Sequence, residues 1–395
     1  MTDVLRRTWA EIHLDRLVAN TRRIRELLAP TCRMMGIVKA DAYGHGAVPV
    51  AKTLCEVGVD WLGVSNLEEA IQLRLAGIDR PMLVISYTPP CEAARLASYD
   101  ITQTVVSADH ARELSQAAVA AGVELAVHIK LDTGMSRVGF VCHEEQEVPA
   151  VVRAVGEACR LPGLRAQGIF THFASADEQS DDGFTRGQFA LFTAVTEGLA
   201  AEGITFELRH CCNSAATLRF PEMHLDMVRP GVILYGLQPD GWMESLHGGF
   251  MPVMEMKTTV SMVKDLPADT PVSYNRTYRT GAPARVAAVP IGYADGYSRR
   301  LSNRAYMLVG GKPAPVIGRV CMDQTVLDVT ALPQVAEGTV VTVFGRDGDA
   351  LLSVDTLAAW MDTIHYEVVC LISKRVPRMY FENGRSVEQL NYLLP

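Results

Sequence analysis

Lys39 closes a short apolar run, Gly36-Ile37-Val38-Lys39-Ala40-Asp41-Ala42-Tyr43-Gly44-His45-Gly46. A lysine at the end of a buried strand is costly to hold as a cation, and burial favours the neutral amine that attacks carbonyl groups. Such an amine can hold an aldehyde cofactor as a Schiff base. Tyr43, four residues on, offers a hydroxyl to a nearby phosphate. The plain alternative is a lysine that snorkels from a strand end into water.

Further along, other reactive side chains sit at the ends of apolar runs. In Glu124–Lys130, Leu125, Val127 and Ile129 share one face, while His128 and Lys130 share the other. The loop that follows carries Arg137, which could clamp a carboxylate through two parallel hydrogen bonds. Gly168–Ala174 brings His172 to a strand end, where it could orient a neighbouring tyrosine or arginine. Asn213-Ser214 and Arg229-Pro230-Gly231-Val232 offer a hydroxyl and backbone N–H groups to an anion. Arg229 is a cation in an apolar run and needs an acceptor. A heteroaromatic nitrogen and a buried carboxylate both qualify. Arg137 also reads as a surface arginine and His172 as a core histidine. The acidic stretch 177–182 lacks a glycine-centred calcium pattern and reads as a solvated loop, and no metal site is expected.

These residues need elements to hold them. Eight β-like runs precede residue 236: Arg33–Ala40, Trp61–Ser65, Met82–Tyr87, Thr102–Ser107, Leu125–Leu131, Ala166–His172, Phe206–Cys212 and Val228–Tyr235. Amphipathic segments of helical period alternate with them, as in Leu14–Leu28, Leu67–Ala76 and Ala108–Ala121. Eight such alternations predict an α/β fold, a (β/α)8 TIM barrel with its chemistry at the C-terminal strand ends. A doubly wound open sheet is the alternative, and the absence of an early G-x-G-x-x-G disfavours it.

The texture changes after about residue 240. Residues 1–240 read as the barrel and 241–395 as a mostly β domain, with Gly310-Gly311 as a hairpin turn. The alternating run Thr8–Leu14 is expected to pair with that second domain. Tyr274, at the end of the β-like run Val272–Tyr274, reads alone as an ordinary strand tyrosine, while Tyr293 and Met322 fall in loops pinned by glycines to which spacing alone gives no function.

With 48% hydrophobic and 21% charged residues the composition is that of a soluble enzyme. A net charge of -8 with no basic run argues against nucleic-acid binding. No apolar run approaches a membrane span, and Met1–Arg7 does not read as a signal peptide. Nine scattered cysteines without a C-x-x-C pair point to reduced thiols and a cytoplasmic location.

Taken together, the segments VKADAYGHG, HIKLDTGMSRVGF, THFASAD, RPGVILYG, IGYADGY and CMDQ resemble the alanine racemase family of fold-type III pyridoxal-phosphate enzymes over essentially the whole chain. That resemblance implies a homodimer in which each active site joins one subunit's barrel to the other's β domain. It implies that Lys39 holds pyridoxal 5'-phosphate and acts as one base, and that Tyr274 of the partner subunit is the base on the opposite face. Arg229 would bond the pyridine nitrogen. Tyr43, Asn213, Ser214, Lys374 and the backbone of Gly231 and Val232 would hold the cofactor phosphate end. His172 would link Tyr274 to Arg229. Arg137, Tyr293 and the backbone of Met322 would hold a small amino-acid substrate. Lys130 matches a position that many members carry as a carbamate able to orient Arg137. The activity implied is interconversion of L- and D-alanine, supplying D-alanine for peptidoglycan.

Two departures stand out. The family usually has glycine where this chain has Asn275, and many members have tyrosine where it has Lys374. A serine or broad-specificity racemase is therefore the nearest rival. A fold-type III decarboxylase and a non-catalytic pyridoxal-phosphate carrier are others. The VSY tyrosine and the HIKLDTGMSR segment disfavour the decarboxylase, and the second domain disfavours the carrier.

Overall fold

Parallel strands with both faces covered are buried at every residue and mostly apolar, and any polar side chain in them needs an internal hydrogen-bond partner. Trp61–Val64, Met82–Val84 and Thr102–Val105 are buried at every residue. The computed structural model describes residues 7–180 and 182–394; Met1–Arg6 and Asp181 of the acidic stretch lie outside the described residues. Eight parallel strands follow in order: Arg33–Ile37, Trp61–Val64, Met82–Val84, Thr102–Val105, Leu125–Asp132, Leu164–Phe170, Leu208–His210 and Met227–Val228. Each pairs with the next through the seventh, and the eighth returns to the first, Met227 opposite Arg33. The last gap is bridged by Asp226 N–H to Arg209 O at 3.1 Å and Arg229 N–H to Cys212 O at 3.0 Å. The barrel is thus nearly closed, as the alternating pattern predicted.

Helix termini are set by local chemistry. Asn66 caps Leu67–Leu75 by accepting from Glu69 N–H, and Ser107 caps Ala108–Ala121 by accepting from His110 N–H. Gly122 ends the latter helix in the left-handed conformation at φ 67°.

Six of the eight expected strands are shorter than the apolar runs suggested, and three of these bear on the site. The first ends at Ile37, and Lys39 opens a turn over Lys39–Tyr43. The seventh spans only Leu208–His210. The eighth ends at Val228, so Arg229 lies just beyond it and Val232–Tyr235 forms a 3-10 turn. Pro230 lacks an N–H and cannot continue a ladder.

The chain divides into two compact units, one of residues 17–42 and 47–251, the other of residues 7–16, 43–46 and 252–394. The second unit is mostly β. One interior strand of its largest sheet is Thr8–His13, antiparallel to Met254–Thr259 on one side and parallel to Arg378–Glu382 on the other. Tyr306–Val309 and Lys312–Pro315 form the hairpin expected at Gly310-Gly311. No helix among the described residues is long and apolar enough to cross a membrane. All nine cysteines are free thiols.

Candidate active site

Lys39 begins a turn of opposite hand to an ordinary helix. Ala40, Asp41 and Ala42 have φ of 52°, 55° and 54°, and Tyr43 has φ of 54°. Left-handed geometry costs an L-residue roughly 1–2 kcal/mol, so four in succession must be held from outside. Glu69 does so, accepting from Ala40 N–H at 2.8 Å and Ser65 N–H at 2.7 Å. Asp41 accepts from Ala47 N–H at 2.8 Å, closing the turn onto the next helix. Lys39 is thereby fixed at the C-terminal end of the first barrel strand.

Arg229 is the centre of the barrel's buried polar cluster. Its guanidinium donates to His210 Nδ1 at 2.9 Å, Thr171 O at 2.9 Å, Cys211 O at 3.0 Å and His172 Nδ1 at 3.3 Å. It has no carboxylate partner among the described residues. Burial pushes its pKa down to about 10, which still leaves it cationic at neutral pH. Its charge acts on its neighbours. Burial, then Arg229, holds His172 and His210 well below the usual histidine range. Phe170 lies beneath the cluster, stacked on His210 at 4.8 Å with Arg229 5.3 Å and Lys130 5.6 Å from its ring centre.

An arginine can only donate, so His172 Nδ1 accepts and its proton sits on Nε2. Lys130 donates to the carbonyl oxygen of Leu131 and is buried. Burial lowers its pKa to about 7; Asp132 opposes that shift while Arg229 and Arg137 reinforce it. A substantial share of Lys130 is therefore neutral amine near pH 7.

Asp132 organises the next loop. Its carboxylate accepts from Gly134 N–H at 3.1 Å and from Ser136 and Arg137 N–H, each at 2.9 Å. Burial raises its pKa, but these backbone N–H groups outweigh it and the net shift is downward. The chain is wound round a fixed anion, and Arg137 projects exposed from it with no ion pair among the described residues. Across the barrel, Ser214 Oγ accepts from Gly231 N–H at 2.8 Å, and Asn213 caps Ser214–Arg219. Ser214, Gly231 and the N-terminus of Val232–Tyr235 thus converge where an anion can be held.

The second unit holds its own constellation. Tyr274 lies in a 3-10 turn rather than at a strand end, and it is 68% exposed. Ser273 Oγ donates to Arg319 O at 2.6 Å, tying this turn to the loop that leads to Met322. Tyr293 N–H donates to Cys321 O and Ala294 N–H to Met322 O, both at 3.0 Å. Ser373 N–H donates to Asp295 O at 3.2 Å, which brings the Lys374 loop alongside. Tyr274, Tyr293, Met322 and Lys374 are thus carried on four loops bonded to one another. Asn275 has φ of 60°, a region that asparagine tolerates better than other side chains. That geometry explains how asparagine can stand where glycine is usual.

Tyr43 packs in this second unit, its ring 6.2 Å from Tyr366. Burial, then Tyr366 and Cys370, raises the Tyr43 phenol, so it remains a protonated donor. Lys374 lies over the Tyr392 ring at 5.6 Å.

The barrel unit brings together Lys39, Lys130, Arg137, His172, Asn213, Ser214, Arg229, Gly231 and Val232 at its strand ends. Sequence reasoning passed over Glu69, Asp132, His128 and His210. A signal for His128 was present, because it shares the polar face of its strand with Lys130. Ligand atoms of Glu11, His13 and Glu255 come within 4.8 Å of one another. Arg16 at 2.9 Å and Lys257 at 3.0 Å already match the Glu255 charge, so this is an ion network.

A nearly closed (β/α)8 barrel with a lysine at its first strand end, followed by a β unit bearing an exposed tyrosine, places the chain in a class of two-domain barrel proteins. The model of the alanine racemase N-terminal domain matches residues 12–239 and that of the C-terminal domain residues 253–380. The chain belongs to the alanine racemase family. It is 46% identical over 377 residues to the alanine racemase of Desulfovibrio desulfuricans, covering 95% of this chain and 99% of that protein. It is 42% identical over 376 residues to alanine racemase 1 of Oceanobacillus iheyensis, covering 95% and 98%. The solved alanine racemase of Bacillus anthracis with bound L-Ala-P superposes with a TM-score of 0.92 at 37% identity over 99% of each chain. That of Bartonella henselae, with covalently bound pyridoxal phosphate, has a TM-score of 0.82 at 26% identity over 95% of this chain and 99% of that one.

Proposed function

We propose that this protein interconverts L- and D-alanine with pyridoxal 5'-phosphate as cofactor. The observation that carries this reading is Arg229, a buried cation with neutral acceptors and no carboxylate partner among the described residues. A guanidinium so placed suits an uncharged aromatic nitrogen, as in the cofactor ring. Lys39 would hold the cofactor aldehyde. Ser214, Gly231 and Val232, with Asn213, Tyr43 and Lys374, would hold its phosphate. When bound, pyridoxal phosphate supplies a conjugated ring that spreads the negative charge left at the substrate Cα.

The protein's own groups then do the proton work. Racemisation needs a proton removed from one face of Cα and returned to the other. Lys39 Nζ would serve one face, and the phenol oxygen of Tyr274 of the partner subunit the other. His172, neutral with its proton on Nε2, can donate to that phenol oxygen. Arg229, which stays cationic at neutral pH, would donate to the cofactor's ring nitrogen rather than protonate it. Arg137, Tyr293 and the Met322 backbone would bind the substrate carboxylate, with Lys130 as a carbamate orienting Arg137. The neutral amine share of Lys130 supports that modification.

The exposure of Tyr274, Met322 and Tyr293, at 68%, 52% and 44%, supports their completing a site on a second copy. A homodimer, a cytoplasmic location and a role in supplying D-alanine to peptidoglycan belong to the same reading.

A second reading, a serine or broad-specificity racemase, is favoured by Lys374. Incubation with pyridoxal phosphate and either L-alanine or L-serine, followed by chiral chromatography, separates them. Fast D-alanine with little D-serine supports the first. D-serine at a comparable rate supports the second, and no D-product from either sinks both.

A further inference from the structure

The chain of hydrogen bonds at Arg229 does not stop at His210. His210 Nε2 lies 2.9 Å from His128 Nδ1, so residues on the fifth and seventh strands and one just past the eighth form one buried line. Its direction is fixed. Arg229 can only donate, so His210 Nδ1 accepts and its hydrogen is on Nε2. That hydrogen meets His128 Nδ1, which must accept, leaving the His128 hydrogen on Nε2. Among the described residues, His128 Nε2 has no hydrogen-bond partner and is buried.

The backbone makes room for this ring. A Cβ at Gly168 would come within 2.6 to 2.7 Å of three atoms of the His128 imidazole. The register between the fifth and sixth strands also shifts between Val127 and His128. The Trp61 ring lies 5.4 Å away. A glycine in mid-strand, an irregular register and a stranded N–H all accompany an imidazole where leucine would fill the space without a polar atom to bury. Packing alone does not account for it. Accepting the His210 hydrogen does.

We propose that His128 is a positioning residue, which by accepting from His210 Nε2 fixes the rotation of that ring and so keeps its Nδ1 aimed at the Arg229 guanidinium. The consequence for the cofactor rests on the reading of Arg229 as partner of its ring nitrogen; the consequence for His210 does not. Burial, then Arg229 and Arg165, takes His128 down to about 3, so the line stays neutral beyond Arg229 and orients without carrying charge outward.

The test compares His128→Asn, whose side-chain oxygen can replace the accepting Nδ1, with His128→Leu, which cannot accept. Three quantities are read: the hydrogen bond of His210 Nε2–H by 1H–15N NMR of histidine-labelled apoprotein, the affinity of the apoprotein for pyridoxal phosphate by absorbance titration, and kcat/KM for alanine. Loss of one hydrogen bond corresponds to about tenfold. H128L is expected to shift the His210 Nε2–H proton resonance upfield as its hydrogen bond is lost, to weaken cofactor binding and to lower kcat/KM by about that factor, and H128N to restore the resonance and bring the other two to within about threefold. Equal behaviour of the two variants, whether both intact or both impaired, overturns the proposal. If H128L shifts the His210 Nε2–H resonance while Arg229→Gln leaves cofactor affinity unchanged, His128 still positions His210 and the Arg229 reading is what fails.

Discussion

The Glu69 carboxylate bonds the Ala40 N–H at 2.8 Å and spans it to the Ser65 N–H at 2.7 Å. A helix in the first turn after the second strand thereby holds the left-handed turn after the first, and Lys39 with it. Glu69→Ala removes the acceptor of both N–H groups. It is expected to destabilise the protein by about 2 kcal/mol and to slow cofactor attachment at Lys39. Denaturant midpoints and the rate of absorbance change on adding pyridoxal phosphate to the apoprotein check this. An unchanged attachment rate would mean the turn holds itself.

Lys130 makes stability depend on pH in a defined direction. Its folded-state pKa, lowered to about 7 chiefly by burial, lies below the unfolded value of about 10.4. Between the two, the unfolded chain binds more protons, so stability rises with pH through that window. Below pH 7 the penalty for the buried cation is fully present, and above the unfolded value it is gone. Lys130→Met is expected to be most stabilising near pH 6 and to flatten the rise between pH 7 and 10. Unfolding curves across that range decide it. With 13C-bicarbonate, the wild type should also give a carbamate 13C signal that K130M lacks.

Tyr274→Phe keeps the ring and removes the phenol oxygen. Racemisation in at least one direction is expected to fall by about 10² to 10⁴-fold, with cofactor affinity nearly unchanged. Initial rates from L- and D-alanine, measured separately, test the two-base assignment. Full activity in both directions would end it.

Asn275, at φ 60°, occupies backbone space that branched residues avoid. Asn275→Gly is expected to be close to neutral, and Asn275→Val to cost about 1–2 kcal/mol. Because Ser273 ties this turn to the Arg319 carbonyl, the valine variant should also raise KM for alanine. Thermal unfolding with steady-state kinetics of both variants is the check. If valine is tolerated, the turn is not what limits this position.

Much of this was legible in the chain because both-sides-buried parallel strands leave uninterrupted apolar runs, and the residues that interrupt them, Lys130, His172 and Arg229, mark the barrel mouth. The ends of those strands were not legible. Apolar character continues through Val38 and through Val232–Tyr235, although the backbone there has left the ladder, because these residues are buried by other means. The left-handed turn after Lys39 was also hidden, since Ala-Asp-Ala-Tyr has ordinary helical preferences and tertiary bonds from Glu69 override them. His128 and His210 were passed over for a different reason. Each looks like a core histidine alone, and only the fold places them in line with Arg229.

Thr8–His13 lies between Met254–Thr259 and Arg378–Glu382. The Thr8–His13 strand therefore waits for neighbours made some 240 and 370 positions later. At about 5–20 residues per second, it has no sheet partner for tens of seconds, long enough for the barrel sequence to be synthesised first. A fragment starting at residue 252 would lack this interior strand and expose two bare edges in place of one filled slot. The natural place to divide this protein is consequently not a single cut. A β unit made to stand alone needs the N-terminal strand grafted back, for instance ahead of Pro252.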